Sequence, residues 1–392
     1  MTSQSTADGE FLRRALALAE GGRGRVSPNP LVGAVLVSGG RVLGEGFHAE
    51  LGGLHAERAA LENCRDRGED PEGATMYVTL EPCAHQGRQP PCAEAVLEAG
   101  IARVVIASED PSEKAAGRGP TLLREAGVEV TFSEGPEAAK ARLLNQPFRK
   151  HARTGLPFVV LKLAMSLDGR TATNPGDSPW ISGEQSRALV HQWRSESDAI
   201  AVGIGTVLAD DPLLTARVPD ARQPLRVVFD SAARLPLDSK LLHTLDQSPV
   251  LVAASDAADP ARVAALRDSG AEVLLADGTA NHDRIISALS QLGRQEITSL
   301  FLEGGPNLTA AFLSADQIDQ SRTFIAPMLL GNSTSAPRAG GAVGGTSPEE
   351  ALATAGGGGS PAATGPARRV AFESTTEQVG EDTLITARFK EW

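Results

Sequence analysis

At 392 residues the chain has room for two domains, or three at most. Its 41% of hydrophobic residues can build proper cores, and its 22% of charged residues is ordinary, which excludes wholesale disorder. The net charge of −12 argues against a broad polyanion-binding surface while leaving room for a local phosphate pocket. No run approaches the ~20 apolar residues of a bilayer span, so no membrane partner is expected. The N-terminal MTSQSTADGEFLRRALALAEGG lacks the basic and apolar regions of a secretory leader. Three cysteines, Cys64, Cys83 and Cys92, are an odd number and too few for a disulfide scaffold. A reducing, cytoplasmic setting is the expectation.

In chain order, residues 10–20 carry apolar side chains at helical spacing and stop at Gly21-Gly22. LVGAVLV (31–37) and RVLGEGFH (41–48), joined by Ser38-Gly39-Gly40, predict a β-hairpin. A helix (55–64), a strand (74–80), a helix (92–100), a strand (102–108), a helix (121–127) and a strand (128–132) follow. That alternation predicts parallel pairing with crossover helices, an α/β layered domain ending near Leu144. NQPFRKHARTGLP (145–157), basic and broken by Pro and Gly, reads as a linker. The domains are thus expected at 1–145 and 158–392, joined by 146–157.

A second α/β pattern has strands at 157–166, 224–230, 249–255 and 271–276, a strand with a glycine turn within 198–210, and a strand at 299–305 that runs into a helix at 306–315, with a further helix at 182–197. TLITARF (383–389) alternates well enough to be a returning strand. Residues 339–367, rich in Gly, Ala, Ser and Pro, read as a flexible loop.

The first chemical constellation is His55-Ala56-Glu57 at a helix start, Pro82-Cys83 after a strand, and Cys92 opening the next helix. One imidazole and two thiolates suit zinc, and three protein ligands leave a fourth position open to water, as catalytic sites require. Glu57 would carry protons between that water and a departing amine. Helix residues two apart point about 200° from each other, so His55 and Glu57 serve one metal only if His55 lies at the helix boundary. Gly52-Gly53 just before it permits that. Cys64 sits nine residues beyond His55, roughly 13 Å along a helix, and is rejected as a ligand. H-x-E ahead of P-C and a second Cys is a zinc-deaminase signature, here with C-x8-C in place of C-x-x-C. Asn29, between two prolines, is suited to reading a base edge or to an Asx turn. His85 is a pocket wall or a solvated loop residue.

SPNPLVGAVLV, GEGFH, HAE and YVTLEPCAHQGRQPPC resemble the deaminase half of the bifunctional riboflavin-biosynthesis RibD (RibG) family, whose own pattern is C-x8-C. The resemblance implies a cytidine-deaminase-like three-layer domain. It places Asn29 and His48 in the pyrimidine pocket, with His85 and the Gly87-Arg88-Gln89 loop beside them.

The second half has no G-x-G-x-x-G after a strand, so an ordinary Rossmann reading is weak. KLAMSLDGR (162–170), Gly203-x-Gly205-Thr206 and Glu303-Gly304-Gly305-Pro306 instead place polar or glycine turns at strand ends, where backbone N–H groups can meet a phosphate. With SPWIS and GTVLADDPLLT they resemble the same family's reductase half. That resemblance implies a dihydrofolate-reductase-like α/β fold, NADPH as cofactor, and reduction of a ribosyl group to ribityl. It places NADPH at Ala164, Trp180, Thr206, Asp210, Ser231 and Gly304, Gly305, Pro306 and Asn307, and substrate at Ser178, Arg194, Leu214, Arg217 and Glu303. Arg194 and Arg217 have the chemistry to hold a phosphate, and Lys162 or Asp168 that to move a proton during ring opening. A phosphorylated pyrimidine is the expected substrate, and the resemblance alone suggests a homo-oligomer. Two alternatives stand beside this reading. A nucleic-acid or nucleoside deaminase with an accessory domain is disfavoured by the acidity and the 4% of aromatic residues. A zinc-stabilised scaffold would have no use for Glu57.

Overall fold

The structure is a computed structural model that describes residues 3–86, 89–113, 115–171, 180–331 and 369–392. Ser178, Gly87, Arg88 and the stretch 339–367 lie outside the described residues. The chain forms two compact units, Met1–Leu156 with Trp392, and Pro157–Glu391.

In the first unit, α1 (Ser3–Ala19) ends in a single 3-10 turn at Gly21-Gly22. β1 (Gly33–Ser38) and β2 (Arg41–Phe47) make the hairpin, turning through Gly39 and Gly40 at φ 57° and 79°, a region that favours glycine. There follow α2 (Ala56–Asp66), β3 (Thr75–Val78), α3 (Cys92–Glu98), β4 (Arg103–Ile106), α4 (Arg118–Glu125), β5 (Glu129–Phe132), α5 (Pro136–Leu144) and α6 (Gln146–Thr154). The sheet order is β2-β1-β3-β4-β5, antiparallel across β2-β1-β3 and parallel across β3-β4-β5. Strand alternation sends Val35, Val37, Tyr77 and Val105 to one face, against Leu12, Ala15 and Leu16 of α1. It sends Ala34, Leu36, Met76, Val78 and Val104 to the other, against Ala60, Leu61, Val96 and Leu123 of α2, α3 and α4. Three layers result.

Backbone meets backbone at several glycines of this unit, Gly33 and Gly46 among them. A Cβ on Gly33 would come 2.0 Å from the Ala15 carbonyl oxygen, and one on Gly46 would come 2.5 Å from the Ala60 nitrogen. α2 is thereby seated directly on β2. Gly46→Ala should cost about 1–3 kcal/mol and lower the melting temperature by several degrees, readable by calorimetry. An unchanged transition would show that α2 is free to shift.

Residues 145–157 depart from the linker reading. Of these, Gln146–Thr154 form α6, with Arg149 and Lys150 buried. The Arg149 guanidinium donates to Ser108 Oγ (3.1 Å), the Glu109 carbonyl (3.0 Å), Glu109 Oε1 (2.5 Å) and the Trp392 carbonyl (2.5 Å). A basic run that looks solvated in sequence is here the inner face of a helix, because carbonyls and a carboxylate satisfy its charge.

The second unit contains β6 (Phe158–Ser166), α7 (Glu184–Glu196), β7 (Ala199–Gly203), α8 (Ile204–Asp210), β8 (Leu225–Phe229), α9 (Lys240–His243), β9 (Val250–Ser255), α10 (Pro260–Asp268), β10 (Glu272–Ala276), α11 (Asn281–Arg294), β11 (Ser299–Leu302), α12 (Pro306–Ser314), β12 (Gln320–Ala326), β13 (Glu373–Val379) and β14 (Asp382–Arg388). The sheet order is β10-β9-β8-β7-β11-β6-β12-β14-β13. Pairing is parallel from β10 to β12 and antiparallel through β14 and β13. The carboxyl ends of seven strands therefore share one edge, where open α/β sheets bind ligands. Ile200, Val202, Val228, Val252, Phe301 and Phe324 form the core on one face, with Trp193 of α7 stacked on Phe324 at 5.5 Å between centroids. The sequence reading missed β12 and β13. β12 reads QSRTFIA and fully buries only Phe324 and Ala326, while β13 is an edge strand of exposed polar residues.

Candidate active sites

His55 is the N-cap of α2, with extended φ and ψ of −70° and 158°. Its side chain therefore leaves the chain before the helix begins, which resolves the 200° problem. Cys83 follows β3, and Cys92 is the first residue of α3. His55 Nδ1 lies 3.6 Å from Cys83 Sγ and 3.3 Å from Cys92 Sγ, and the three donor atoms all fall within 4.8 Å of one another. Tetrahedral zinc with N and S ligands has edges of roughly 3.5 Å, so the donor set and its spacing fit that ion. The Cys92 N–H donates to Cys83 Sγ (3.4 Å), and the Ala93 N–H to the Cys83 carbonyl (3.0 Å). These bonds hold the loop closed at the start of α3.

The hydrogen bond from Cys92 pulls the Cys83 thiol down to about 4, helped by His55 and the Cys92 N–H against the opposing effect of burial. The neighbouring Cys83 sulfur and burial push the Cys92 thiol up. Glu57, in the first turn of α2, is 3% exposed. Burial first, and then the Cys83 charge, raise its carboxyl to about 7. It is thus poised to exchange a proton near neutrality. Cys64 is buried on α2, its thiol donating to the Glu69 carbonyl (3.5 Å), outside this cluster.

Asn29 and His48 meet at this site. His48 Nδ1 donates to the Leu54 carbonyl (2.9 Å), leaving Nε2 to accept from Asn29 Nδ2 (3.0 Å). Burial lowers the His48 pKa and keeps it neutral, and its ring packs edge-on to His55 at 5.3 Å. His85 is exposed, and Gln89 Nε2 donates to the Gly52 carbonyl (3.0 Å). Arg58, which the sequence reading did not single out, donates to the carbonyls of Pro90 (3.3 Å) and Pro91 (3.0 Å) and so braces the approach to Cys92. Its adjacency to the H-x-E motif was the available signal.

In the second unit, Glu303 follows β11, Lys162 lies on the paired strand β6, and Arg194 comes from α7. Arg194 grips Glu303 with two bonds, Nε to Oε1 (2.7 Å) and Nη2 to Oε2 (3.0 Å), and gives Nη1 to the Thr215 carbonyl (3.2 Å). Burial works to raise the Glu303 carboxyl, but Arg194 and Lys162 outweigh it and hold it below its ordinary value. Burial lowers the Lys162 pKa against the pull of Glu303. Arg194, Glu303 and Lys162 thus form one charge cluster. The guanidinium expected to face a phosphate is occupied by Glu303.

Asp168 is held in the turn that follows β6. Its exposed carboxylate accepts from Ser166 Oγ (2.6 Å) and from the N–H groups of Leu330 (3.1 Å) and Gly331 (2.8 Å). Those bonds pull it down to about 2, so it stays ionised and anchors the turn. Ala164 lies two residues along β6 from Lys162, on the same face. Thr206 Oγ1 and Gly305 face each other, since a Cβ on Gly305 would lie 3.8 Å from that oxygen. The N-terminal turns of α8 and α12 therefore adjoin, with Gly304, Pro306 and Asn307 in the second. Leu214 is buried at φ 57°, in the loop whose Leu213 carbonyl accepts from the buried Arg226 (3.1 Å). Arg217, Asp210 and Ser231 are exposed, and Trp180 is 58% exposed with Arg187 over its ring at 5.1 Å.

The family models agree with this division. Residues 5–108 match the cytidine and deoxycytidylate deaminase zinc-binding region, and residues 157–348 match the RibD C-terminal domain. The riboflavin biosynthesis protein RibD of Actinobacillus pleuropneumoniae is 44% identical over 325 residues, 83% of this chain and 85% of that protein. That of Escherichia coli is 41% identical over 338 residues, 83% and 89% of the two chains. Among solved structures, the deaminase/reductase of Thermotoga maritima superposes with a TM-score of 0.80 at 33% identity, covering 99% of this chain and all of that one. RibD of Acinetobacter baumannii gives 0.78 at 35%, with the same coverage. A His–Cys–Cys triad spaced for zinc with a buried carboxylate in one unit, and a reductase fold in the other, thus belong to a chain that is a member of the RibD family of bifunctional riboflavin-biosynthesis deaminase–reductases.

Proposed function

We propose that the first unit hydrolytically deaminates 2,5-diamino-6-ribosylamino-4-pyrimidinone 5'-phosphate, and that the second reduces the product with NADPH to 5-amino-6-ribitylaminouracil 5'-phosphate. The Thermotoga maritima relative is described as a diaminohydroxyphosphoribosylaminopyrimidine deaminase and 5-amino-6-(5-phosphoribosylamino)uracil reductase, which supports this substrate. The observation that carries the reading is the triad of His55, Cys83 and Cys92 with Glu57 buried beside it.

His55, Cys83 and Cys92 would hold zinc, which supplies Lewis-acid activation of water at the ring carbon. Glu57 takes a proton from the attacking water and returns it to the departing amine, its raised pKa fitting both directions. Asn29, anchored on neutral His48, presents amide groups to the base edge. In the second unit NADPH supplies the hydride, and the protein supplies placement. The adjoining turns at Gly203–Thr206 and Gly304–Asn307 offer backbone N–H groups to the cofactor's phosphates, with Ala164, Trp180, Asp210 and Ser231 around it. Ser178, Leu214, Arg217 and Glu303 belong to the substrate side. Lys162, made a stronger acid by burial, gives a proton to the ribose ring oxygen as the ring opens. The Arg194–Glu303 pair fixes where that proton is delivered. A cytoplasmic homo-oligomer completes the proposal.

Purified, zinc-quantified protein incubated with the diamino substrate should yield only the deaminated mass without NADPH, and the deaminated, doubly hydrogenated mass with it. Deamination without reduction would overturn the second half. No change in either tube would overturn both.

A further inference from the structure

Residues 211–217, on the way from α8 to β8, are held in shape by side chains from outside the segment. Two of them have left-handed backbones without being glycine, Asp211 at φ 40° and Leu214 at φ 57°. L side chains keep that conformation only where the surroundings impose it. Here Arg226 Nη1 donates to the Leu213 carbonyl (3.1 Å) and Arg194 Nη1 to the Thr215 carbonyl (3.2 Å). Gln223 then pairs with Ala216 in both directions. Its Oε1 accepts from the Ala216 N–H (2.9 Å), and its Nε2 donates to the Ala216 carbonyl (3.0 Å). The peptide groups on either side of Ala216 are thereby both fixed. Arg226 is fully buried, and its remaining contacts are also neutral oxygens: Thr244 Oγ1 (2.7 Å) and the carbonyls of Leu241 (3.1 Å), Thr244 (2.8 Å) and Ser248. A buried cation held in this way is costly, and it ties the 211–217 segment to the chain between α9 and β9.

The pinned stretch is buried at Leu214, Thr215 and Ala216 and emerges at Arg217. Arg217 has no hydrogen-bond or ion-pair partner among the described residues. It lies beside α7, since burial first, and then the charges of Arg194 and Arg217, lower the pKa of His191, one turn before Arg194. With Arg194 engaged by Glu303, Arg217 keeps its fork open to a phosphate monoester. A long side chain binds well only if little of its freedom is left to lose, and fixing the peptide before it removes part of that loss. We propose that Gln223, braced by Arg226, is the positioning residue that aims Arg217 at the phosphate of the reductase substrate. The inference rests on the reading of the second unit as a reductase of a phosphorylated pyrimidine.

Steady-state reduction of the deaminated substrate by the full chain, with and without the 5'-phosphate, tests it. Gln223→Ala should raise KM for the phosphorylated substrate about tenfold and leave kcat within about twofold, the mark of lost binding and intact chemistry. KM for the unphosphorylated substrate should not move. Arg217→Ala should raise the first KM by at least about tenfold, and adding Gln223→Ala to it should do nothing further, because no fork remains to be aimed. Gln223→Glu keeps the acceptor but sets a second oxygen against the Ala216 carbonyl, and it should match Gln223→Ala, so the test holds even if the alanine variant fails to fold. An unchanged KM in the Gln223 variants or in Arg217→Ala would overturn the proposal. So would effects that add in the double variant, or that are equal for the two substrates, either of which would make Gln223 a brace of the fold alone. No reduction by the wild-type protein with NADPH would overturn the reductase reading and this proposal with it.

Discussion

Glu57→Gln should lower the deamination rate by about a thousandfold while the protein keeps its zinc. The substitution conserves shape, and Glu57 is buried at the first turn of α2, so no cavity opens. What is lost is a carboxyl that burial and the Cys83 charge hold near 7, able to accept a proton from water and release it to an amine. An amide can do neither. The metal ligands are other side chains, tied together by the bonds among Cys83, Cys92 and His55. Zinc content by elemental analysis and rate by product mass therefore separate the two roles. A rate within tenfold of wild type would sink the proton-carrier role. Loss of zinc together with activity would recast Glu57 as a residue that builds the site. Reduction of pre-deaminated substrate depends on residues of the second unit and should not change.

The second large effect is expected at Arg194. Arg194→Ala strands the Glu303 carboxylate in a largely buried setting, where each partner keeps only about 15% of its side-chain surface. Breaking such a pair costs about 3 kcal/mol, near the lower end of the usual range because of the residual exposure. For a unit of this size that is roughly a 10 °C fall in melting temperature. Reduction should fall with it. Released from Arg194, Glu303 is free to hold Lys162 in its charged form and raise the pKa of the proton donor. The pH profile of reduction should then move upward, a change that a purely structural lesion would not produce. Arg194→Met with Glu303→Met should recover much of the stability and none of the reduction. A single variant as stable as wild type would show that the pair does not hold the site. The sign of the pH effect on wild-type stability follows from the same carboxyl. Its folded pKa lies below the ordinary 4.5, so its contribution is complete above that value and disappears as the pH falls through the folded one.

The chemistry of the first site was legible in the chain because its residues are local and rare. His55, Glu57, Cys83 and Cys92 fall in one short stretch, and each sits at the boundary of an element that periodicity marks. The condition that His55 stand at the helix start is met by its extended backbone as the N-cap of α2. The second site was legible only as separated turns. Nothing in the spacing from Arg194 to Glu303 says that they meet, because α7 and the end of β11 are joined by pairing across β7 and β6. The same separation hid the anchoring task of Asp168, whose partners Leu330 and Gly331 are more than 160 residues away.

The sequence by itself determined the layered α/β pattern, the cluster of His55, Cys83 and Cys92 with Glu57 beside it, and the glycine turns at strand ends. Each depends on side-chain chemistry at fixed offsets within a turn or a strand. Tertiary structure decided what happens to charge. It made the basic run 145–157 an inner helix face, because Glu109 and backbone carbonyls close around Arg149. It turned the Arg194 fork toward Glu303, and it set β12 in the sheet despite a polar sequence. Those outcomes rest on desolvation and on partners distant in the chain, and neither can be read from a residue's neighbours in sequence.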